Sequence, residues 1–334
     1  MRHGWNASVS LVCACVLGGM AGGALAQSRD APTTEQPLQE VTVSAARVLD
    51  HKTLSHAVSG FVQSHSAPGT RINQIGRWHM YVCPLVIGLR EPFNDQMVRD
   101  VLDVARGVGA PTRPKGKTCK VNVEIVFTKE PQALLDHIAK NYRVLLGYYP
   151  AAQMAQLTTF SRPIQAWYLT ATHSGGYQPP IPGLSAASAP TSGADGPGAD
   201  MPFETGGQID SEETARGMAP SGIVGSYFTK GLSSQFVHVL IIADDTQLSR
   251  YPLRSVADYV ALLSLTRMAK LDQCAPLPSI TDLLASGCAP PVADSLTAAD
   301  RAYLKALYTA DLEKNLNLER GEVHDRMMRQ IEGE

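Results

Sequence analysis

The stretch FVHVLIIADDTQLSRYPLRSVADYVALLSLTRM, residues 236–268, decides how the fold is interpreted. Its first part, Phe236 to Ala243, is an apolar run that predicts a buried strand. Two aspartates and a loop with Pro252 follow, and the next four turns predict a buried helix near residues 252–268. The middle of that helix carries a single charged residue, Asp258. A buried carboxylate must be paired or hydrogen-bonded, so Asp258 is the first polar group to explain.

The remainder of the chain predicts a sheet with helices packed on it. Apolar and alternating runs predict three earlier strands, and amphipathic segments predict the helices between them and at the end of the chain. The strands lie at Trp78–Leu89, Lys120–Thr128 and Pro163–Ala171; the helices begin near Asn94, Pro131, Ala151 and Thr297. This order predicts an α+β fold with a mixed sheet and C-terminal helices.

Residues 1–26 have the pattern of an export signal. An apolar run from Val9 to Met20 precedes the small-x-small site Ala24-Leu25-Ala26. The run is shorter than the ~20 residues that a membrane span needs. We therefore expect cleavage near Ala26 and a periplasmic or secreted mature chain without a membrane span.

Composition divides the mature chain into four segments. Residues 27–70 are polar and predict a flexible leader, and residues 175–220, rich in Pro, Gly, Ser and Ala, predict a disordered insertion. The insertion interrupts a globular domain over residues 71–310, and residues 311–334 predict a charged helical tail. Within the leader, LQEVTVSAAR at residues 38–47 resembles the TonB box of outer-membrane receptors. That likeness implies a partner role in TonB-linked transport through residues 40–45, by addition of a strand to a sheet edge.

Four cysteines remain after the signal: Cys83, Cys119, Cys274 and Cys288. They allow three pairings, and the sequential one, Cys83–Cys119 with Cys274–Cys288, is favoured because each pair lies in one local segment. A four-thiolate zinc site is the alternative, but no CxxC spacing occurs and an oxidising compartment favours disulfides.

The charge of the chain excludes one class of partner. A formal net charge of −2 gives no electrostatic case for binding nucleic acid. The sequence also lacks GxSxG, GxGxxG and a phosphate-cradling Gly-Lys-Ser motif, so we expect no cofactor. The oligomeric state stays open at this level.

The order of strands, buried helix, turn and closing helix resembles that of metzincin-type zinc peptidases. The segment LTAADRAYLKALY, from Leu296, resembles their helix after the turn, and Ser279-Ile280 stands where those enzymes carry a Ser-Ile-Met turn. Thr281 replaces the methionine. The likeness implies zinc ligands on the buried helix, but Ala257 and Ala261 occupy the two histidine positions.

Alanine cannot bind a metal, and zinc hydrolysis needs imidazoles one turn apart with a carboxylate base. We therefore predict a non-catalytic protein with no metal site. The alternative is a hydrolase with a non-standard site near Asp258, the residue at the position of the base. More narrowly, CPLVIGL, VNVEIVFT, RPIQAWY and the blocks from VADYVALLSL to LTAADRAYLKALY resemble an uncharacterised family of exported proteobacterial proteins, a likeness that implies no activity.

Binding to a protein or peptide is the predicted role, through a sheet edge or cleft. Trp167 and Tyr168 are neighbours on a predicted strand, so their side chains point to opposite faces and one is a candidate for packing against a peptide. His173 follows on the same strand and completes the candidate binding set. His238, inside the apolar run, is expected to be a core histidine with its hydrogen bonds satisfied.

Overall fold

The computed structural model describes residues 50–114, 119–174 and 231–333. Its longest strand, β5, spans Leu232–Asp244 and pairs with three others. Strand β4 (Ile164–Ser174) runs antiparallel along one side of β5. The other side is shared, because β1 (Gly76–Arg77) pairs with residues 234–235 and β3 (Val123–Thr128) with residues 239–244, both parallel to β5. Strand β2 (Pro84–Ile87) pairs parallel with β3 at the far edge.

Eight α-helices surround this sheet within the described residues. They are α1 (His51–His65), α2 (Phe93–Gly107), α3 (Pro131–Asn141), α4 (Ala151–Leu157), α5 (Asp245–Leu248), α6 (Leu253–Leu265), α7 (Ala298–Thr309) and α8 (Leu316–Glu332). Short 3₁₀ turns lie at Arg143–Leu146 and Ile280–Leu283. The α+β class with a mixed sheet and packed helices is therefore confirmed.

The main core lies on one face of the sheet, which we call the α6 face. There α6, α2, α1, α7 and α8 cover strand residues such as Ile125, Phe236 and Ile241, all fully buried. Trp78 closes this core because its indole N–H donates to the Ser264 carbonyl at 2.7 Å, at the end of α6. Burial on this scale, of order 1.5–3 kcal/mol for each large apolar side chain, holds the helices to the sheet.

A smaller core lies on the opposite face, which we call the α3 face. Leu135 and Ile138 of α3, with Leu146 of the 3₁₀ turn, cover Leu240 and Ile242 of β5. The predicted buried strand is thus confirmed, and the structure shows that both of its faces are covered.

Helix α1 differs from the sequence interpretation, which placed residues 51–65 in a flexible leader. Val58, Phe61 and Val62 of this helix are buried in the main core, and the Asp50 side chain caps its first turn through Thr53 N. The described residues all belong to one compact unit. The TonB-box-like strand, the signal and the 175–220 insertion lie outside the described residues.

Both disulfides form in the favoured pairing. Cys83 and Cys119 join the start of β2 to the segment before β3, with Cα atoms 6.1 Å apart. Cys274 and Cys288 close the loop after α6, with Cα atoms 5.4 Å apart. Such bonds suit an oxidising compartment outside the cytoplasm. Across residues 50–114, 119–174 and 231–333, no helix combines the length and the apolar character that a bilayer span requires.

Candidate functional site

Helix α6 occupies the place of the zinc helix in the resemblance, and its neighbours fill the space around it. Every residue from Ser255 to Leu265 is buried. Ala257 and Ala261 have no exposed surface and belong to the main core. A catalytic zinc site needs an open coordination position for water or substrate. Because the core covers these two positions, α6 acts as a structural helix.

Asp258, the candidate catalytic residue, serves a backbone group. Its Oδ2 accepts a hydrogen bond of 2.9 Å from the Leu296 N–H, in the segment that leads into α7. Asp258 is 5% exposed, so this bond ties α6 to the start of α7 within the core. The charge of Asp258 is felt by Asp100 of α2, whose carboxyl pKa is raised by burial and, to a lesser extent, by Asp258.

A second polar cluster, which the sequence interpretation missed, joins α1, the 280–283 turn and α7. His65, Ser279 and Asp300 have no exposed surface. The Ser279 hydroxyl donates to Asp300 Oδ1 at 2.7 Å, and His65 Nε2 lies 3.3 Å from Ser279 Oγ. Asp300 also accepts from the backbone N–H groups of Ile280 and Thr297.

These three residue types are those of a hydrolytic triad, but their connections differ from those of a triad. In a triad, the carboxylate binds the imidazole nitrogen opposite the one that faces the serine. Here His65 Nδ1 lies 2.9 Å from the Phe61 carbonyl oxygen, while Asp300 bonds directly to Ser279. The carboxylate and the serine therefore share one side of the ring, and no proton relay connects them. The cluster is structural.

The signal for this cluster was present in the sequence as two capping boxes. Ser279 caps the turn at Ile280–Leu283 with Asp282 as its partner, and Thr297 caps α7 with Asp300. The S/T-x-x-acid pattern identifies each box locally. The contact of Asp300 with Ser279 and His65 is not local, and no spacing rule predicts it.

Burial of His65 predicts a pH-dependent stability. Desolvation lowers the pKa of His65 from 6.5 to about 3, so the folded protein keeps the ring neutral while the unfolded chain binds a proton below pH 6.5. The contribution of the neutral His65 ring to the free energy of unfolding is complete above pH 6.5 and is lost as the pH falls from 6.5 towards 3. Between about pH 7.5 and 5 we expect the free energy of unfolding to fall by roughly 2 kcal/mol from this group, measured by urea denaturation.

The variant His65→Gln isolates this contribution. Its unfolding free energy should lose most of the dependence on pH between 7.5 and 5, whatever its absolute stability. His137→Gln, on the exposed surface of α3, is the matched control and should keep the wild-type dependence. An unchanged slope in His65→Gln would show that His65 is not held neutral by burial.

The candidate binding residues lie on β4, and two of their side chains are in the cores. Trp167 is 1% exposed on the α3 face, and its indole N–H donates to the Leu157 carbonyl. Tyr168 is 5% exposed on the α6 face, and its hydroxyl donates to the Leu263 carbonyl. The backbone of His173 pairs with Ser233. The side chains of Trp167 and Tyr168 are therefore unavailable to a partner.

The outward backbone of β4 is the feature with binding chemistry. The Pro163 carbonyl accepts from the Asp244 N–H, so position 163 faces β5 and alternation turns Ala166, Tyr168, Thr170 and Thr172 outward. Tyr168 and Thr170 are 5% and 2% exposed, so the edge is covered in its middle and accessible at Ala166 and Thr172. Gly147 touches this edge, since a Cβ on it would lie 2.6 Å from the Tyr168 carbonyl oxygen. Within the described ranges, no backbone hydrogen bond joins the outward groups of β4 to another segment.

Comparison with protein-family models, with curated proteins and with solved structures finds no match. The metzincin-like order therefore stays a prediction from the residue pattern. The described part of the chain also brings no three His, Cys, Asp or Glu side chains close enough to hold a metal ion.

Proposed function

We propose that this chain is an exported, non-catalytic protein that binds an extended, uncharged peptide segment of a partner protein along the outer edge of β4. The observation that carries the proposal is the edge itself. Eleven residues, Ile164–Ser174, form a strand without Lys, Arg, Asp, Glu or Pro, paired on one side by β5. Exposed edges in soluble proteins are usually blocked by charges, prolines, short length or a covering segment.

The absence of charged side chains on β4 favours an uncharged peptide as the bound segment. A segment that lies along this edge would reach the backbone groups of Ala166 and Thr172, which are half-buried on either side of the buried Tyr168 and Thr170. Main-chain hydrogen bonds supply affinity in this mode, and the side chains beside the edge supply selectivity. Because no ionic side chain of β4 is present to pair with a charged peptide, an uncharged segment fits best.

The non-catalytic part of the proposal is supported by how the candidate groups are used. Asp258 is bonded to the Leu296 N–H, and Asp300 and Ser279 are bonded to each other within a fully buried cluster. Each polar group suited to hydrolysis thus has a structural partner. The disulfides and the predicted signal support export.

Proline substitutions at two adjacent positions of β4 test which backbone N–H groups face away from the sheet. Ala166→Pro removes an outward N–H, and a proline is tolerated in an edge strand when that N–H faces away from the sheet. Gln165→Pro removes an N–H that faces β5 and should cost about 3 kcal/mol or more of unfolding free energy. Thermal unfolding of the two variants should therefore show Ala166→Pro close to wild type and Gln165→Pro strongly destabilised.

Binding is then measured on an array of ten-residue peptides, with the mature, disulfide-bonded protein as the probe. We expect enrichment of uncharged, β-branched peptides by the wild type and loss of that binding in Ala166→Pro. Peptides that bind both proteins equally would contradict the proposal. A dimer of the wild type that dissociates in Ala166→Pro would also contradict it, since a second copy would then be the occupant.

A further inference from the structure

The β4 edge is covered at Tyr168 by a short loop, residues 147–149, which we call the strap. The strap follows the 3₁₀ turn Arg143–Leu146, and Pro150 separates it from α4. Gly147 is buried, and a Cβ on it would lie 2.6 Å from the Tyr168 carbonyl oxygen, which faces away from β5. The strap therefore shields the backbone of Tyr168, whose side chain lies in the main core.

The strap shields this edge without pairing with it. Among the described residues, no backbone hydrogen bond joins residues 147–149 to β4. The Gly147 N–H donates instead to the Val144 carbonyl at 3.0 Å, within its own turn. Shielding backbone groups from water without pairing them costs free energy. An added strand would pair with these groups, so the closed strap and a bound segment compete for the same place.

Two arginines hold the strap by its tyrosine rings. The guanidinium carbon of Arg71 lies 5.5 Å from the ring centre of Tyr148, and that of Arg267 lies 5.5 Å from the ring centre of Tyr149. Both tyrosines are half-buried. Cation–π contacts at such positions are weak, and each changes an equilibrium by about two- to fivefold.

The chain beside the strap is fastened more firmly. Arg267 donates to the Pro68 carbonyl at 2.6 Å, and the Ala67 N–H donates to the Arg267 carbonyl at 2.8 Å. The strap has ring contacts where residues 67 and 68 have hydrogen bonds. Its first residue, Gly147, has φ 87° and ψ 176°, a region that is essentially confined to glycine. Leu146 before it is fully buried in the smaller core, so a movement of the strap would begin at Gly147.

We propose, on the basis of the function proposed above, that the strap regulates the β4 edge by opening locally about Gly147. It is closed in the free protein and is displaced when a peptide binds. Opening uncovers the backbone of Tyr168, so that a peptide pairs with Ala166 and Tyr168 in succession. Because full pairing needs the open state, the apparent affinity for the peptide rises in proportion to the open population.

Hydrogen exchange of single backbone amides, measured by NMR on the mature, disulfide-bonded protein, tests local opening. The outward amide of Tyr168 should exchange at least about tenfold faster than the amides of Trp167 and Leu169, which face β5, because it needs only the strap to open. It should exchange more slowly than the accessible amide of Ala166. A Tyr168 rate equal to that of Leu169 would overturn the proposal, and so would a rate equal to that of Ala166.

The variant Tyr149→Leu tests the link between opening and binding, because it removes the ring contact with Arg267. Exchange at Tyr168 should become about two- to fivefold faster, and the affinity for the best-bound uncharged peptide of the array should rise by the same factor. Tyr251→Leu is the matched control. It removes a ring 5.0 Å from the guanidinium carbon of Arg250 and should leave both quantities unchanged.

The outcomes separate this inference from the function on which it rests. Faster exchange at Tyr168 in Tyr149→Leu, with unchanged affinity for a peptide that binds the wild type, would overturn regulation by the strap. If no peptide binds any of these proteins, the function proposed above fails, and the exchange rates of Tyr168 still decide whether the strap opens. If Tyr149→Leu does not fold, Tyr148→Leu takes its place and should give the same two changes.

Discussion

Replacement of both α6 alanines, Ala257→His and Ala261→His together, is expected to unfold the protein without creating a zinc site. Both side chains lie in the closed core, so each imidazole must displace packed neighbours and bury a polar ring. Overpacking costs about 1–3 kcal/mol at each site, and the unsatisfied ring nitrogens add to this. We expect a loss of more than about 4 kcal/mol of unfolding free energy, measured by urea denaturation with and without zinc.

The control applies the same substitution on the surface. Ala133→His on the exposed face of α3 puts an imidazole one turn before the exposed His137. That pair should gain weak zinc affinity with little change in stability. A folded Ala257→His, Ala261→His variant that binds one zinc would contradict the account, because it would show that α6 faces an open site.

Removal of the Asp300 carboxylate is the second change with a large expected effect. Asp300→Ala leaves Ser279 Oγ, Ile280 N and Thr297 N without their common acceptor inside the core. Loss of one partner from a buried charged network costs about 3–5 kcal/mol. Urea denaturation should show that loss of unfolding free energy. The backbone amides of the 280–283 turn should also exchange their hydrogens faster.

Two further variants, Asp258→Ala and Asp294→Ala, give losses of unfolding free energy with which that of Asp300→Ala is compared. Asp258 accepts one backbone N–H, so its removal should cost about 1–3 kcal/mol. Asp294 is exposed, and its removal should cost about 0.5 kcal/mol or less. Equal losses for Asp300→Ala and Asp294→Ala would show that the cluster does not hold α7 to the 280–283 turn.

The sequence predicted the elements whose pattern is strong and local. The apolar run gives β5, and the apolar turns after Pro252 give α6, because a segment buried on every side must be apolar almost throughout. The start of β5 was missed, since Ser233, Ser234 and Gln235 are polar yet buried. Their burial depends on β4 and β1, which no local pattern reveals.

Helix α1 was missed although its apolar stripe was present. Leu54, Val58, Phe61 and Val62 recur at helical spacing, and Asp50 is a suitable N-cap. Polar composition on both sides of the stripe favoured a leader. The helix is held by burial against the main core, and tertiary packing of an amphipathic face is what stabilises most helices in proteins.

The candidate site was predicted in its residues and not in its contacts. Asp258 was identified from its isolation on an apolar helix, but its partner Leu296 is 38 residues away. The two faces of Trp167 and Tyr168 follow from strand alternation, whereas their burial follows from Leu157 and Leu263 on other elements. Long-range partners of this kind come only from the assembled fold.

Zinc analysis of the mature protein tests the central claim, that α6 is a core helix and the chain is non-catalytic. The protein is purified without chelators, equilibrated with excess zinc, passed over a desalting column and measured by mass spectrometry of the metal. The account predicts far less than one zinc for each chain, unchanged in Asp258→Asn. One zinc for each chain, lost in Asp258→Asn, would contradict it.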